Sequence, residues 1–168
     1  MYLLLVMAVW TLFSYKFINW TRVKEQYPTV LFFIVINMTY NAIYSEHLLW
    51  AFRGITADWL NHTIINLFFT FYICPATLII FLQRLPDRNY AKASYIIIWI
   101  VFYTILEALF AHKGMFVYGD AWNSWQNIWL NTLLFLAILI HYRRPAAALI
   151  LTVPAAVLFY IFFPVPLS

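Results

Sequence analysis

Asparagine, histidine and glutamate recur in this chain inside runs that are otherwise apolar, and at spacings a helix would exploit. Asn37 and Asn41 are four apart, with Tyr40 and Tyr44 close to the same side. Asn61 and His62 open another run, and Asn66 follows one turn after His62. Tyr103 and Glu107 are again four apart, and Asn123, Asn127 and Asn131 form a ladder at the same spacing. Side chains four apart share a helix face. Each run would therefore turn a strip of amide, phenol, imidazole or carboxyl groups to one side. Such strips can do two kinds of work. They can hydrogen-bond the polar part of a ligand, or they can bind helices to one another. Glu107 and His62 could in addition act as an acid–base pair.

Glu107 is the sharpest of these residues, being the only acid well within an apolar run. A charged side chain at the centre of a membrane helix costs roughly 2.5–3.5 kcal/mol on insertion scales, so such residues usually face a cavity or a partner. His62, Asn127 and Tyr103 are the expected partners if their helices are neighbours. The candidate ligand-binding set is Asn37, Tyr40, Asn41, His62, Asn66, Tyr103, Glu107, Asn123, Asn127 and Asn131.

The elements that must position these residues follow from composition. Hydrophobic residues make up 65% of the 168 residues and charged residues 10%. Ordinary soluble domains have ~45–50% and ~25%. So few charges cannot cover a water-exposed surface. Six apolar segments, 2–17, 27–44, 62–82, 91–111, 122–140 and 146–163, approach the roughly 20 residues that cross a bilayer as a helix. They lack period-two alternation, so strands are not expected. The expected fold is all-α: one domain over residues 1–168, a polytopic bundle of six transmembrane helices. Five is the alternative count, because the first segment is short and the last contains Pro154.

Orientation follows from Lys and Arg. Eight of the ten (Lys16, Arg22, Lys24, Arg84, Arg88, Lys92, Arg143 and Arg144) fall in the first, third and fifth connections. Only Arg53 and Lys113 fall in the second and fourth, which also hold Glu46, Asp58 and Asp120 and all three glycines. The excess belongs in the cytoplasm, which predicts both termini outside. The basic residues follow the first apolar run, an order that favours a retained helix over a signal peptide. On this map every polar residue above lies in the outer half of its helix. At 1.5 Å per residue, Asn131 lies ~12 Å below Asn123. The cytoplasmic halves show little to match them. On the fifth segment, Trp122, Trp125 and Trp129 fall nearly opposite the Asn ladder, so the ladder should face the bundle.

Several classes are set aside. The net charge of +4 comes from these loop clusters, so nucleic acid is not an expected partner. The single cysteine, Cys74, permits no internal disulfide and no cysteine metal site. No two of His47, His62 and His112 have helix-face spacing, so no metal and no cofactor are expected. There is no zinc-protease motif, no paired acidic motif and no serine elbow, so no catalytic residue is assigned.

The string Asn61-His62-Thr63-Ile64-Ile65-Asn66, with Tyr27-Pro28-Thr29 before it and Glu107, Gly114 and Trp122-Asn123 after it, resembles an uncharacterised family of small multi-pass membrane proteins of spore-forming Gram-positive bacteria. The resemblance covers about residues 20–145. It implies a bacterial plasma-membrane location and carries no catalytic role. The expected function is an outward-facing polar pocket within the membrane that binds, or transports, a small amphipathic or lipid-like ligand. The alternatives are a lipid- or isoprenoid-modifying enzyme using Glu107 and His62, and a scaffold subunit whose asparagines are packing contacts. Membrane lipids are the expected surroundings, and an oligomer or a membrane-protein partner is compatible with every reading.

Overall fold

The computed structural model describes residues 2–54 and 59–164; residues 55–58, Asp58 among them, lie outside the described set. The described chain is all-helical apart from one short ladder. The helices are α1 (Tyr2–Phe17), α2 (Val23–Ile43), α3 (His62–Gln83), α4 (Asn89–His112), α5 (Ser124–Arg143) and α6 (Pro145–Phe162). Three of them, α3, α4 and α6, are long and apolar enough to cross a membrane. The α1 helix is apolar but shorter. The first and last segments are each a single helix, and α6 continues through Pro154.

The α3 helix is the centre. Every residue from Ala76 to Leu82 is buried, because the segment is apolar on all sides and neighbours cover all of them. Val30 and Phe33 of α2, with Phe135 and Ile138 of α5, complete the core around it. Neither α4 nor α6 buries much of itself: α4 has no buried residue and α6 has only Ala148. They present Ile97, Val101, Ile105 and Leu109, and Leu149, Val153 and Val157, to the surroundings. Exposed apolar surface of that extent requires a partner or lipid.

Local chemistry sets the helix ends and one irregularity. Asn123 begins α5 with a capping box: its side chain accepts from the backbone, and Gln126 Oε1 accepts from Asn123 N at 2.7 Å. Pro145 opens α6, where its missing N–H costs nothing. Within α3, Pro75 has no N–H to give the preceding turn. The chain adopts a π-turn over Phe69–Ile73, and Cys74 N–H reaches back five residues to Phe69 O. A π-turn adds one residue, so it re-aims the face before it against the face after it.

The first, third and fifth connections meet at one end of the bundle. Asn19 N donates to Gln83 Oε1 at 2.8 Å, Arg84 donates to Phe17 O at 3.2 Å, and Gln26 Nε2 donates to the Tyr142 hydroxyl at 3.4 Å. The second and fourth connections meet at the other end. There Trp50–Phe52 (β1) pairs antiparallel with Phe116–Tyr118 (β2), Trp50 opposite Tyr118 and Phe52 opposite Phe116.

Two expectations need correction. Strands do form. They are three residues long, lie outside the apolar runs and satisfy each other's backbone groups, so the lipid argument against strands does not reach them. The basic end is also not poor in buried polar groups. Gln26, Thr29 and His141 are 0%, 2% and 7% exposed. Thr29 Oγ1 and His141 Nδ1 are 3.0 Å apart, Gln83 donates to Gln26 Oε1 at 3.0 Å, and Phe32 stacks on the His141 ring. Each of these residues stands alone beside a basic connection in the sequence and looks solvent-facing. Packing of α2 on α5 buries them.

Candidate functional site

The ladder roofs the end opposite the basic connections. Aromatic residues alternate along both strands, so Trp50, Phe52, Phe116 and Tyr118 share a face. Trp50 stacks flat on Tyr40 at 4.4 Å, and Phe52 stacks on Phe69 at 4.8 Å. Tyr40 also accepts the Leu49 N–H at 3.2 Å, which makes it a support for the roof. Two glycines allow the approach. Gly114 turns the chain after α4 with φ +71°, a conformation glycine adopts readily. Gly119 donates to Leu49 O at 2.8 Å, and a Cβ there would lie 2.8 Å from Leu48 O.

Beneath the roof the polar residues divide into separate groups. Between α2 and α3, Asn37 donates to Thr70 Oγ1 and, at 3.5 Å, to Asn66 Oδ1. Thr70 donates to Asn66 O at 2.7 Å. Asn41 donates to Asn37 O at 2.7 Å, and its Oδ1 lies 3.2 Å from His62 Nε2. His62 Nδ1 accepts the Phe52 N–H at 3.0 Å. An acceptor at Nδ1 and a carbonyl oxygen at Nε2 make His62 a neutral Nε2–H imidazole. This network ties two helices to the roof and uses its own groups in doing so.

Between α4 and α5 the arrangement is different. Asn127 and Asn131, one turn apart on the inner face of α5, are 3% and 6% exposed. Asn131 Nδ2 donates to Glu107 Oε2 at 3.2 Å. Asn127 accepts from the Trp122 indole N–H and donates to the Tyr118 hydroxyl at 3.2 Å. Burial, and after it the Glu107 charge, pushes the Tyr118 phenol above its ordinary pKa, so it keeps its proton near neutral pH. A cleft of about 90 Å³ opens here, lined by Thr104, Glu107 and Ala108 of α4, Trp125 and Asn127 of α5, and Tyr118 of the roof. That is room for about three water molecules at ~30 Å³ each, against the several hundred Å³ of a typical ligand pocket.

Glu107, Asn127 and Asn131 are thus brought together, and Asn37, Asn41, His62 and Asn66 form a second group. Tyr40 supports the roof, and Asn123 caps its own helix. The Tyr103 hydroxyl donates to Thr77 Oγ1 at 2.8 Å, where Trp10 Nε1 also donates at 2.9 Å, linking α1, α3 and α4. Of the partners expected for Glu107, Asn127 shares the cleft, Tyr103 bonds elsewhere, and His62 is held by Asn41 and Phe52. Glu107 and His62 therefore do not pair. Trp122 also departs from expectation: it is buried, not opposite the Asn ladder with the exposed Trp125 and Trp129. It precedes the cap residue Asn123, so helical rotation does not govern it. Among the described residues, no three His, Cys, Asp or Glu side chains gather as a metal site requires.

Sequence reasoning missed Tyr118 and Thr104. Thr104 stands three before Glu107, a helix-face spacing that could have found it. Tyr118 was signalled only by the alternating aromatics of Phe116-Val117-Tyr118. Comparison with known protein families, with curated proteins and with solved structures finds no match.

Proposed function

We propose that the chain is a six-span protein of a bacterial plasma membrane, with both termini outside, that binds the polar head of a membrane amphiphile at the outer end of the bundle. The observation that carries this is the cleft between α4 and α5, lined by the Glu107 carboxylate and the buried Asn127 amide, with Asn131 bonded to that carboxylate. Charge distribution supports the orientation, since the connections holding eight of the ten Lys and Arg gather at the opposite end. The ladder covers the polar layer from above, so the free approach is sideways, past the exposed Ile105 and Trp125. The small volume fits a head group alone, with the tail left in lipid. The α2–α3 asparagines are the packing half of the polar layer, because their bonds are made to one another and to the roof.

The test is mass spectrometry of small molecules released from the purified protein, wild type beside Ala108→Phe. Ala108 is exposed and lines the cleft, so the added ring fills it without removing a polar partner. A defined amphiphile should be released by the wild type and be missing from the variant. Equal release of bulk lipid from both would refute the reading.

A further inference from the structure

We infer, on the basis of that reading, that the head group bound in the α4–α5 cleft is an ammonium: a protonated amine carried by a membrane amphiphile and inserted laterally from the outer leaflet. Charge is the first argument. The lining contains one carboxylate, Glu107, and no Lys, Arg or His. An anionic head group would meet like charge with nothing to offset it.

The donor–acceptor balance is the second argument. Thr104 spends its hydroxyl proton on Ile100 O at 2.9 Å, which leaves its oxygen as an acceptor. Asn127 is already committed to Trp122 and Tyr118. Glu107 has received one bond, at Oε2 from Asn131, and a carboxylate offers about four acceptor sites. Tyr118, which accepts from Asn127, and Ser124 at the rim each keep a hydroxyl proton to donate, so the acceptor demand of the cleft rests on Glu107 and the Thr104 oxygen. An ammonium has three donors and no acceptor, so it can serve Glu107 and Thr104 together, whereas a hydroxyl has one proton for the two. The third argument is the mouth. Trp125 lines it and is largely exposed, and an indole face attracts a cation. Space for about three waters accommodates an ammonium with its first methylenes.

The experiment uses nanodiscs doped equally with dodecylamine, dodecanol and dodecanoate, which share a chain length. Native mass spectrometry measures what the full chain retains. The wild type should retain the amine about tenfold over the alcohol and exclude the carboxylate. Glu107→Gln, which keeps an acceptor for Asn131, should lower amine retention about tenfold, to the level of the alcohol. Thr104→Val, which leaves the Asn131 contact intact, should lower it about threefold and serves if the first variant fails to insert. Ala108→Phe should abolish retention of both amine and alcohol. Amine retention no better than that of alcohol, or unchanged in Glu107→Gln and Thr104→Val, would overturn the ammonium assignment while loss in Ala108→Phe upheld the site. Retention unchanged by Ala108→Phe would overturn the site itself. Displacement of dodecylamine by soluble ethylamine would overturn the lateral route and place the amine's source in water.

Discussion

Trp122 and Asn127 form the joint between the roof and the cleft, and a double-mutant cycle measures it. The Trp122 indole N–H is buried at 5% exposure, and its partner is Asn127 Oδ1. Asn127→Leu removes that acceptor and the bond to Tyr118. An orphaned buried donor costs ~1–3 kcal/mol, and each membrane-helix hydrogen bond is worth ~0.6–2 kcal/mol, so the single variant should lose ~2–4 kcal/mol. Trp122→Phe removes the donor, strands the Asn127 oxygen and thins the packing on Trp50 and Phe163. It should lose ~2–3 kcal/mol. The double variant leaves no orphaned indole N–H, so its loss should fall short of the sum by ~1–2 kcal/mol. Reversible unfolding of the four proteins by dodecyl sulfate in bicelles gives the coupling. Additivity within about 0.5 kcal/mol would show that the bond does not hold the roof and would refute the reasoning.

Two further outcomes follow from the same geometry. Gly119→Ala places a methyl group 2.8 Å from Leu48 O; it should cost ~1–3 kcal/mol and speed amide exchange at Gly119 and Ala51 in the ladder, as hydrogen–deuterium exchange would read. Thr77→Val keeps side-chain volume but strands the Trp10 indole and the Tyr103 hydroxyl, which both donate to Thr77 Oγ1. It should cost ~1–3 kcal/mol in the same bicelle assay, whereas an unchanged midpoint would show that the bonds to Thr77 do not help hold α1.

The sequence made the helices legible because each is an apolar run with polar or basic punctuation, and three of them are long and apolar enough to cross a membrane. It made the α5 faces legible for a similar reason: Asn127 and Asn131 lie on one side and Trp125 and Trp129 on the other, and lipid tolerates only the tryptophans. Spacing could not say which polar strips would meet. Glu107 sits three turns after Tyr95 on the same helix, yet Tyr95 packs on Phe81 and Glu107 bonds Asn131; that difference is set by helix adjacency and tilt, which no single helix encodes. The ladder was invisible because three-residue strands carry too little period-two signal and derive their pairing from the ends of α2, α4 and α5. Gln26 and His141 were hidden because a lone polar residue beside a basic loop has the same appearance whether it faces water or a neighbouring helix.

What separates Glu107 from the other polar residues is the arithmetic of its partners. Asn37, Asn41, His62 and Asn66 are neutral, and the bonds they make to one another and to the roof cover the cost of burying an amide or an imidazole. A carboxylate within an apolar helix costs roughly 2.5–3.5 kcal/mol at the centre, and one bond from a neutral amide, worth ~0.6–2 kcal/mol, does not cover it. A cation that enters the cleft can supply the remainder. Water supplies donors but no net charge, and a hydroxyl supplies one donor. A unit positive charge about 4 Å away supplies ~4 kcal/mol at the effective dielectric of a partly buried site, which exceeds the deficit of roughly 0.5–3 kcal/mol. Glu107→Gln should therefore stabilise the empty protein while weakening the loaded one. A carboxylate kept only for packing would give the same sign of change in both.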